Sequence, residues 1–176
     1  MSKLSESRKA KDQFFAHDRH SPLTSEQRRR FRGLDYFPEN PHLRFVLEIR
    51  EFPDQDKEVI EIVTSTGHSR PHRRWGTVAF AVEGEPATLT VYKGLDDGEF
   101  FLPFVDATSG KESYGAGRYL DLRPLEDGRF LLDFNYAYNP YCAYNPHWSC
   151  PVPPAENRLK VAIRASEKRF PDALGH

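Results

Sequence analysis

Apolar residues follow two different rhythms along this chain. Between residues 4 and 34 they are sparse and do not alternate, while Lys, Arg, Glu, Gln and Ala are abundant, as on exposed helices. Two short helices are predicted there. The first carries Phe14 and Phe15 near its end. The second begins after Pro22, where Thr24 and Gln27 have the spacing of a capping box, each side chain satisfying an amide at the helix start; Phe31 and Leu34 would then face the body. After the stretch 36–41, which contains Pro and Asn, β-branched and aromatic residues come in short runs punctuated by Gly, Pro and Asp, the pattern of strands. Residues 42–52, 59–65, 75–83, 87–92, 100–105, 118–123, 129–136 and 159–165 are the candidates. About eight strands without crossover helices predict a mainly β fold with N-terminal helices, built as an antiparallel β-barrel or sandwich. At 176 residues the chain fits one domain, 1–176, with a helical segment 1–36 and a β-rich body 42–165.

The most informative local pattern is 118–136, RYLDLRPLEDGRFLLDFNY, which reads as a hairpin. A three-residue loop, Glu126-Asp127-Gly128, puts Gly where a type I turn followed by a left-handed bulge requires positive φ. In that register Leu122 faces Leu132 and Leu120 faces Phe134, while Asp121 faces Asp133 and Tyr119 faces Asn135 on the other side. Two like charges side by side need a cation, hydrogen bonds or a shifted pKa, and Arg123 is the nearest cation on that face. Asp121 and Asp133 are therefore the candidate catalytic residues, with a solvated outer sheet face as the structural alternative. The same register puts Arg118 on the apolar side unless Gly115 and Gly117 bend the strand.

Composition limits the partners. The 25 Lys and Arg nearly cancel the 26 Asp and Glu, so neither nucleic acid nor an anionic membrane is expected. No apolar run approaches a membrane span, and the polar start of the chain is unlike a secretory signal, so a cytoplasmic protein is expected. Arg28-Arg29-Arg30 and Arg32 read as the wet side of the second helix. Arg70-Pro71-His72-Arg73-Arg74-Trp75 reads as a basic loop between strands, either solvated or lining the rim of a site. Gly115-Ala116-Gly117 opens a strand, not a helix, so it is no phosphate loop, and the cofactor is left unknown.

Residues 139–154 hold too many prolines for helix or central strand and contain both cysteines, Cys142 and Cys150. With His147, and His68 or His72 as a fourth, they make an incomplete zinc set whose spacing matches no paired-cysteine pattern. Free thiols and no metal are expected in a reducing compartment.

At these residues the chain resembles a bacterial and archaeal family of unknown function, DUF1684. The resemblance is carried by Phe101-Leu102-Pro103-Phe104, by the run from Asp106-Ala107-Thr108-Ser109-Gly110 through Ser113-Tyr114-Gly115-Ala116-Gly117-Arg118-Tyr119-Leu120-Asp121, by Asp133-Phe134-Asn135, Asn139-Pro140 and Cys142-Ala143, and by Cys150-Pro151-Val152-Pro153-Pro154-Ala155-Glu156-Asn157. It extends to Lys11-Asp12-Gln13-Phe14-Phe15, Ser21-Pro22-Leu23 and Gly33-Leu34-Asp35-Tyr36-Phe37; His147 does not carry over. The resemblance implies no established activity. Some members bear an esterase label, yet no Gly-x-Ser-x-Gly elbow is present. It marks a motif rich in polar and aromatic residues, as a pocket requires. The expectation is therefore a pocket between the hairpin's polar face and the proline loop, binding a small polar or anionic molecule through Tyr114, Arg118, Tyr119, Arg123, Asn135, Asn139, Glu156 and Asn157. A hydrolase using Asp121 or Asp133 as base is the first alternative. A protein-interaction module, with Tyr138, Tyr141, Tyr144 and Trp148 as its contact surface, is the second. Whether the protein is an enzyme, and its oligomeric state, are left open.

Overall fold

In the computed structural model, which describes residues 2–171, the N-terminal segment folds as its caps dictate. Ser2 accepts from the Ser5 amide at the start of α1 (Lys3–His17). Thr24 and Gln27 complete a reciprocal capping box at the start of α2 (Ser25–Arg30), satisfying two of the orphan amides of the first turn. Neither helix has a broad apolar stripe. They are held by Phe15 and Leu23, which pack with the fully buried Tyr144, flanked by Phe14, Phe31 and Leu34. No helix among the described residues is long and apolar enough to cross a membrane.

The body contains β1 (Arg44–Leu47), β2 (Arg50–Glu51), β3 (Val59–Val63), β4 (Ser69–Val82), β5 (Glu85–Gly94), β6 (Phe100–Phe104), β7 (Arg118–Asp121), β8 (Arg123–Pro124) and β9 (Phe130–Asp133). A six-stranded sheet runs β2-β4-β5-β6-β7, with β3 also on β4, and a three-stranded sheet runs β1-β9-β8. Every ladder is antiparallel. Strict alternation on β4 sends Val78, Phe80 and Val82 inward, where they meet Leu89 and Ala87 of β5 and, across the core, Leu102, Leu120, Leu132 and Phe134. Each such side chain contributes about 1.5–3 kcal/mol by leaving water. The architecture is thus mainly β with two helices.

The sheets do not close into a barrel, which corrects one of the two expected architectures. Among the described strands β7 pairs with β6 alone, its other edge carrying a single bridge from Tyr119 to Tyr138, and at Leu122 the chain passes from the large sheet to the small one. The predicted turn itself is present: Gly128 has φ of +85°, and the Leu125 amide donates to the Arg129 carbonyl at 2.8 Å. The register is also as expected where the ladder exists, Arg123 opposite Leu131 and Pro124 opposite Phe130. It ends there. Asp121 pairs instead with Phe101 of β6 and Asp133 with Arg44 of β1, so the two carboxylates do not form a cross-strand pair.

Two other strand expectations fail. Residues 70–75 are not a loop but the first half of β4, with Trp75 as the extra residue of a bulge between Arg74 and Gly76. The indole lies under the ammonium groups of Lys57 and Lys93, at 3.8 and 4.4 Å from the ring centroid. Residues 159–165 form only the start of a pairing: Leu159 and Val161 share backbone hydrogen bonds with Val105 and Ala107, and beyond them side chains take over, the carbonyls of Ile163 and Ala165 accepting from Arg118 and the Ile163 amide donating to Asp106.

Candidate functional site

The proline loop is fixed above the face of the large sheet by the sequence that predicted its irregularity. The Tyr119 hydroxyl donates to the Pro151 carbonyl, and Tyr119 and Tyr138 exchange two backbone hydrogen bonds of 2.9 Å. At its far end the loop is stitched to the β3–β4 connection: Ser65 N–H donates to the Cys150 carbonyl at 2.8 Å and Val152 N–H to Val63 at 2.8 Å. With no partner strand, the loop's carbonyls and amides are satisfied by these cross-links.

Between the loop and the sheet lies an open recess of about 570 Å³. Its walls are aromatic: Phe100 and Phe101 of β6, Tyr119 of β7, then Tyr138, Tyr141 and Trp148. The rings interlock at their edges, Tyr119 with Phe101 at 4.9 Å, Tyr119 with Tyr138 at 5.8 Å and Tyr141 with Trp148 at 5.1 Å between centroids. In the lining, Asp97, Glu99 and Asp121 are set against Arg70 and His72, with Asn139 and Ser149 beside them. His72 lies 5.5 Å from Phe101, ring to ring. Partial burial raises the Asp121 carboxyl above its ordinary value, and the Tyr138 hydroxyl, 3.1 Å away, opposes that rise. Burial and the neighbouring Asp121 push the Tyr138 phenol up, so it stays a donor at neutral pH.

A second recess of about 490 Å³ opens on the other side of Asp121, where Arg44, Arg123, Asp133 and Glu39 line it with Lys3 at the start of α1. The single pocket expected between hairpin and loop is therefore two, and Asp121 borders both. Asp133 is already engaged: its Oδ1 accepts from the Asn135 amide and from Asn135 Nδ2, and its Oδ2 lies 3.7 Å from Arg44 Nε. It caps the short turn Phe134–Tyr136.

Among the expected ligand-binding residues, Tyr119 and Asn139 line the aromatic recess, and Arg123 lines the second. The other five line neither. Arg118 is fully buried, with Nη2 at 2.7 Å from the Ile163 carbonyl and 3.4 Å from Asp106. Asn157, also fully buried, receives from the Thr90 amide and donates to the carbonyls of Thr90 and Pro103, each at 2.8 Å. Glu156 is clamped by Arg74 through bonds of 3.0 and 2.7 Å and by the Tyr92 hydroxyl, and these contacts, Arg74 foremost, hold its carboxyl below the ordinary value. Tyr114 turns its hydroxyl to Cys142, 3.7 Å from Sγ. Asn135 lines neither of the two main recesses; it bridges the backbone of Asn40 to Asp133. Asp106, whose motif offered a turn as the plain reading, does close one with Thr108 and Ser109 and also faces Arg118.

Arg70 and His72, offered by the sequence as a basic loop that could line the rim of a site, do line the recess, from a strand instead of a loop, whereas Asp97, Glu99 and Phe101 were not among the expected site residues. The signal for the first two was the i, i+2 spacing of Arg70 and His72, which shares one face if the run is read as a strand. Asp97 and Glu99 sit on the β5–β6 turn, and no local pattern distinguishes them from solvated turn acids. No group of three or more His, Cys, Asp or Glu side chains among the described residues could hold a metal ion; His147 is exposed.

A pair of antiparallel sheets, roofed by a proline loop over an aromatic recess, is the class this geometry defines. Residues 29–168 match the family described as protein of unknown function (DUF1684), and the chain belongs to it. A solution NMR structure of an uncharacterised protein from Haloarcula marismortui is similar, at 37% identity over 94% of this chain and 91% of that one, with a TM-score of 0.70. No curated protein matches the chain.

Proposed function

We propose that the recess under the proline loop binds a small polar molecule that carries both a ring or alkyl surface and a positive charge. The observation that carries this is the lining itself: interlocked aromatic faces with Asp97, Glu99 and Asp121 set against Arg70. Aromatic faces attract cations through their quadrupole, and the carboxylates at the rim favour a cationic partner over an anionic one. An anionic ligand, the other expectation from sequence, would meet more carboxylates than guanidinium groups. Concavity favours ligand binding over a protein-interaction surface, and Tyr144, one of the loop aromatics, is spent on the contact with Phe15 at 5.0 Å. The hydrolytic alternative gains no second catalytic group, because Asp133 is held by Asn135 and Arg44. The protein would work in the cytoplasm without nucleic acid or membrane.

The test is a thermal-shift series with matched pairs, phenethylammonium against phenylpropionate and choline against isovalerate. The ammonium members are expected to raise the melting temperature, since a ligand held by the native state stabilises it, and Trp148→Ala is expected to remove the shift. Equal shifts from the carboxylates, or none from any compound at millimolar concentration, would end this reading.

A further inference from the structure

The two cysteines, with seven residues between them in an irregular loop, lie against each other. Cys142 donates its backbone N–H to Cys150 Sγ at 3.3 Å, and the Tyr114 hydroxyl stands 3.7 Å from Cys142 Sγ on the other side. Both residues are free thiols, Cys142 half-buried and Cys150 buried. The ends of the segment cannot drift apart: Cys150 N–H donates to Ser65 Oγ at 3.1 Å, and the short turn Tyr141–Ala143 is closed by a Tyr144-to-Tyr141 bond of 3.0 Å. A buried cysteine is ordinarily an inert packing group. Two sulfurs brought together with a phenol aimed at one of them are more than packing requires.

The pair acts as one acid. The neighbouring Cys150 thiol foremost, and then the Tyr114 hydroxyl, lower the Cys142 thiol to about 6 against the rise that its burial causes. Cys150 is pushed up because its proton is the one shared with Cys142 and because it is buried. At neutral pH the more accessible sulfur is therefore a thiolate and the buried one a thiol, the asymmetry that distinguishes an attacking from a resolving cysteine.

We propose that Cys142 and Cys150 form a reversible dithiol–disulfide centre whose oxidant is a hydroperoxide. The Cys142 thiolate attacks the terminal peroxide oxygen. The O–O bond breaks, an S–O bond forms, and the alkoxide or hydroxide released takes up a proton, so sulfur is oxidised by two electrons to the sulfenic acid and the peroxide is reduced to alcohol or water. The Cys150 sulfur then attacks the sulfenic sulfur, its proton leaves with the hydroxyl as water, and the S–S bond forms. Two thiols and one hydroperoxide thus give one disulfide, one alcohol and one water. A small dithiol reverses it by exchange. Tyr114 is a positioning residue, acting through Cys142. This chemistry does not depend on the recess being occupied.

The full chain, reduced and freed of reductant, is titrated with hydrogen peroxide and followed by intact mass and free-thiol count. One equivalent is expected to remove both thiols and about 2 Da, with return on addition of dithiothreitol. Cys150→Ser is expected to stop at a sulfenic acid on residue 142 that dimedone captures, and Cys142→Ser to leave residue 150 unreacted over the same time. Alkylation of Cys142 by iodoacetamide should have its midpoint about two pH units below that of the unfolded chain, and Tyr114→Phe should move it back upward. Three outcomes would overturn the proposal: thiol loss no faster than in the unfolded chain, oxygen addition without a disulfide, or a disulfide between two chains. The wild-type titration decides even if a cysteine variant fails to fold.

Discussion

Two clusters drawn from the same stretch of sequence have opposite fates. Arg118 and Asn157 sit in a knot beneath the sheet, where their hydrogen-bonding capacity is almost fully consumed by this chain's own backbone. Only Nε of Arg118 lacks a partner. Asp121, three residues from Arg118 and on the opposite face of the same strand, has among the described residues the Tyr138 hydroxyl as the one hydrogen-bond partner of its carboxylate and otherwise borders two recesses. The difference is whether the polar group's demand is met inside the fold. A residue whose demand is met is architecture, and one with capacity left over is available to a ligand.

The knot should be the costlier cluster to disturb. Arg118 carries the irregular segment 159–167 by its carbonyls at Ile163, Ala165 and Glu167, and faces Asp106 at 3.4 Å with neither side chain exposed. Arg118→Met should cost about 3–5 kcal/mol, the range for breaking a buried pair and leaving one charge uncompensated. Guanidinium unfolding measures it, and hydrogen exchange should show amides near Ile163 losing protection first. A variant as stable as the parent would mean that Arg118 is not architecture, and the contrast with Asp121 would collapse.

Asn157→Ala comes next. It leaves the Thr90 amide and the carbonyls of Thr90 and Pro103 without the partner that joins β5 to β6, and each unmet buried group costs about 1–3 kcal/mol before relaxation or water entry. A loss near the lower end, read by urea unfolding, would show that water enters in place of the side chain. No measurable loss would break the assignment.

How much of this was legible follows from the range of the interactions. The capping box of Thr24 and Gln27, the Gly128 turn and the apolar face of Leu120, Leu122 and Leu132 are local, set by spacing, and were read correctly. The hairpin register also pointed Arg118 to the apolar side, against its place among the expected ligand-binding residues, and it is buried. Its neighbour Gly117, with φ of +101°, does not swing the side chain out; a Cβ there would lie 2.5 Å from the Phe104 carbonyl, so the strand needs glycine for close approach. What pattern does not carry is the change of sheet at Leu122. That depends on β6 and β1 competing for β7 and β9, contacts separated by many residues. The same holds for the knot, because nothing in Asp106 or Arg118 announces that the backbone at Ile163 and Ala165 goes to their side chains instead of a strand.

The smallest stability effect, and the sharpest discrimination, belongs to Asp121→Asn. Burial raises this carboxyl above its unfolded value, so the folded state binds the proton more tightly than the unfolded one. Its contribution to stability is present below the ordinary carboxylate pKa and is lost as pH rises through the folded value. A neutral asparagine escapes that loss. At pH 7 the variant should therefore be as stable as the parent or slightly more so, within about 0.5 kcal/mol because the group is open to solvent and screened. The advantage should vanish at low pH, where Asp121 is itself protonated. Ammonium ligands should bind about tenfold more weakly, the cost of losing one charged hydrogen-bond partner. Melting curves at both pH values, with and without phenethylammonium, separate the cases. Unchanged stability with lost binding marks a site, whereas a collapse like that expected of Arg118→Met would place Asp121 in the architecture and leave the recess without its anchoring charge.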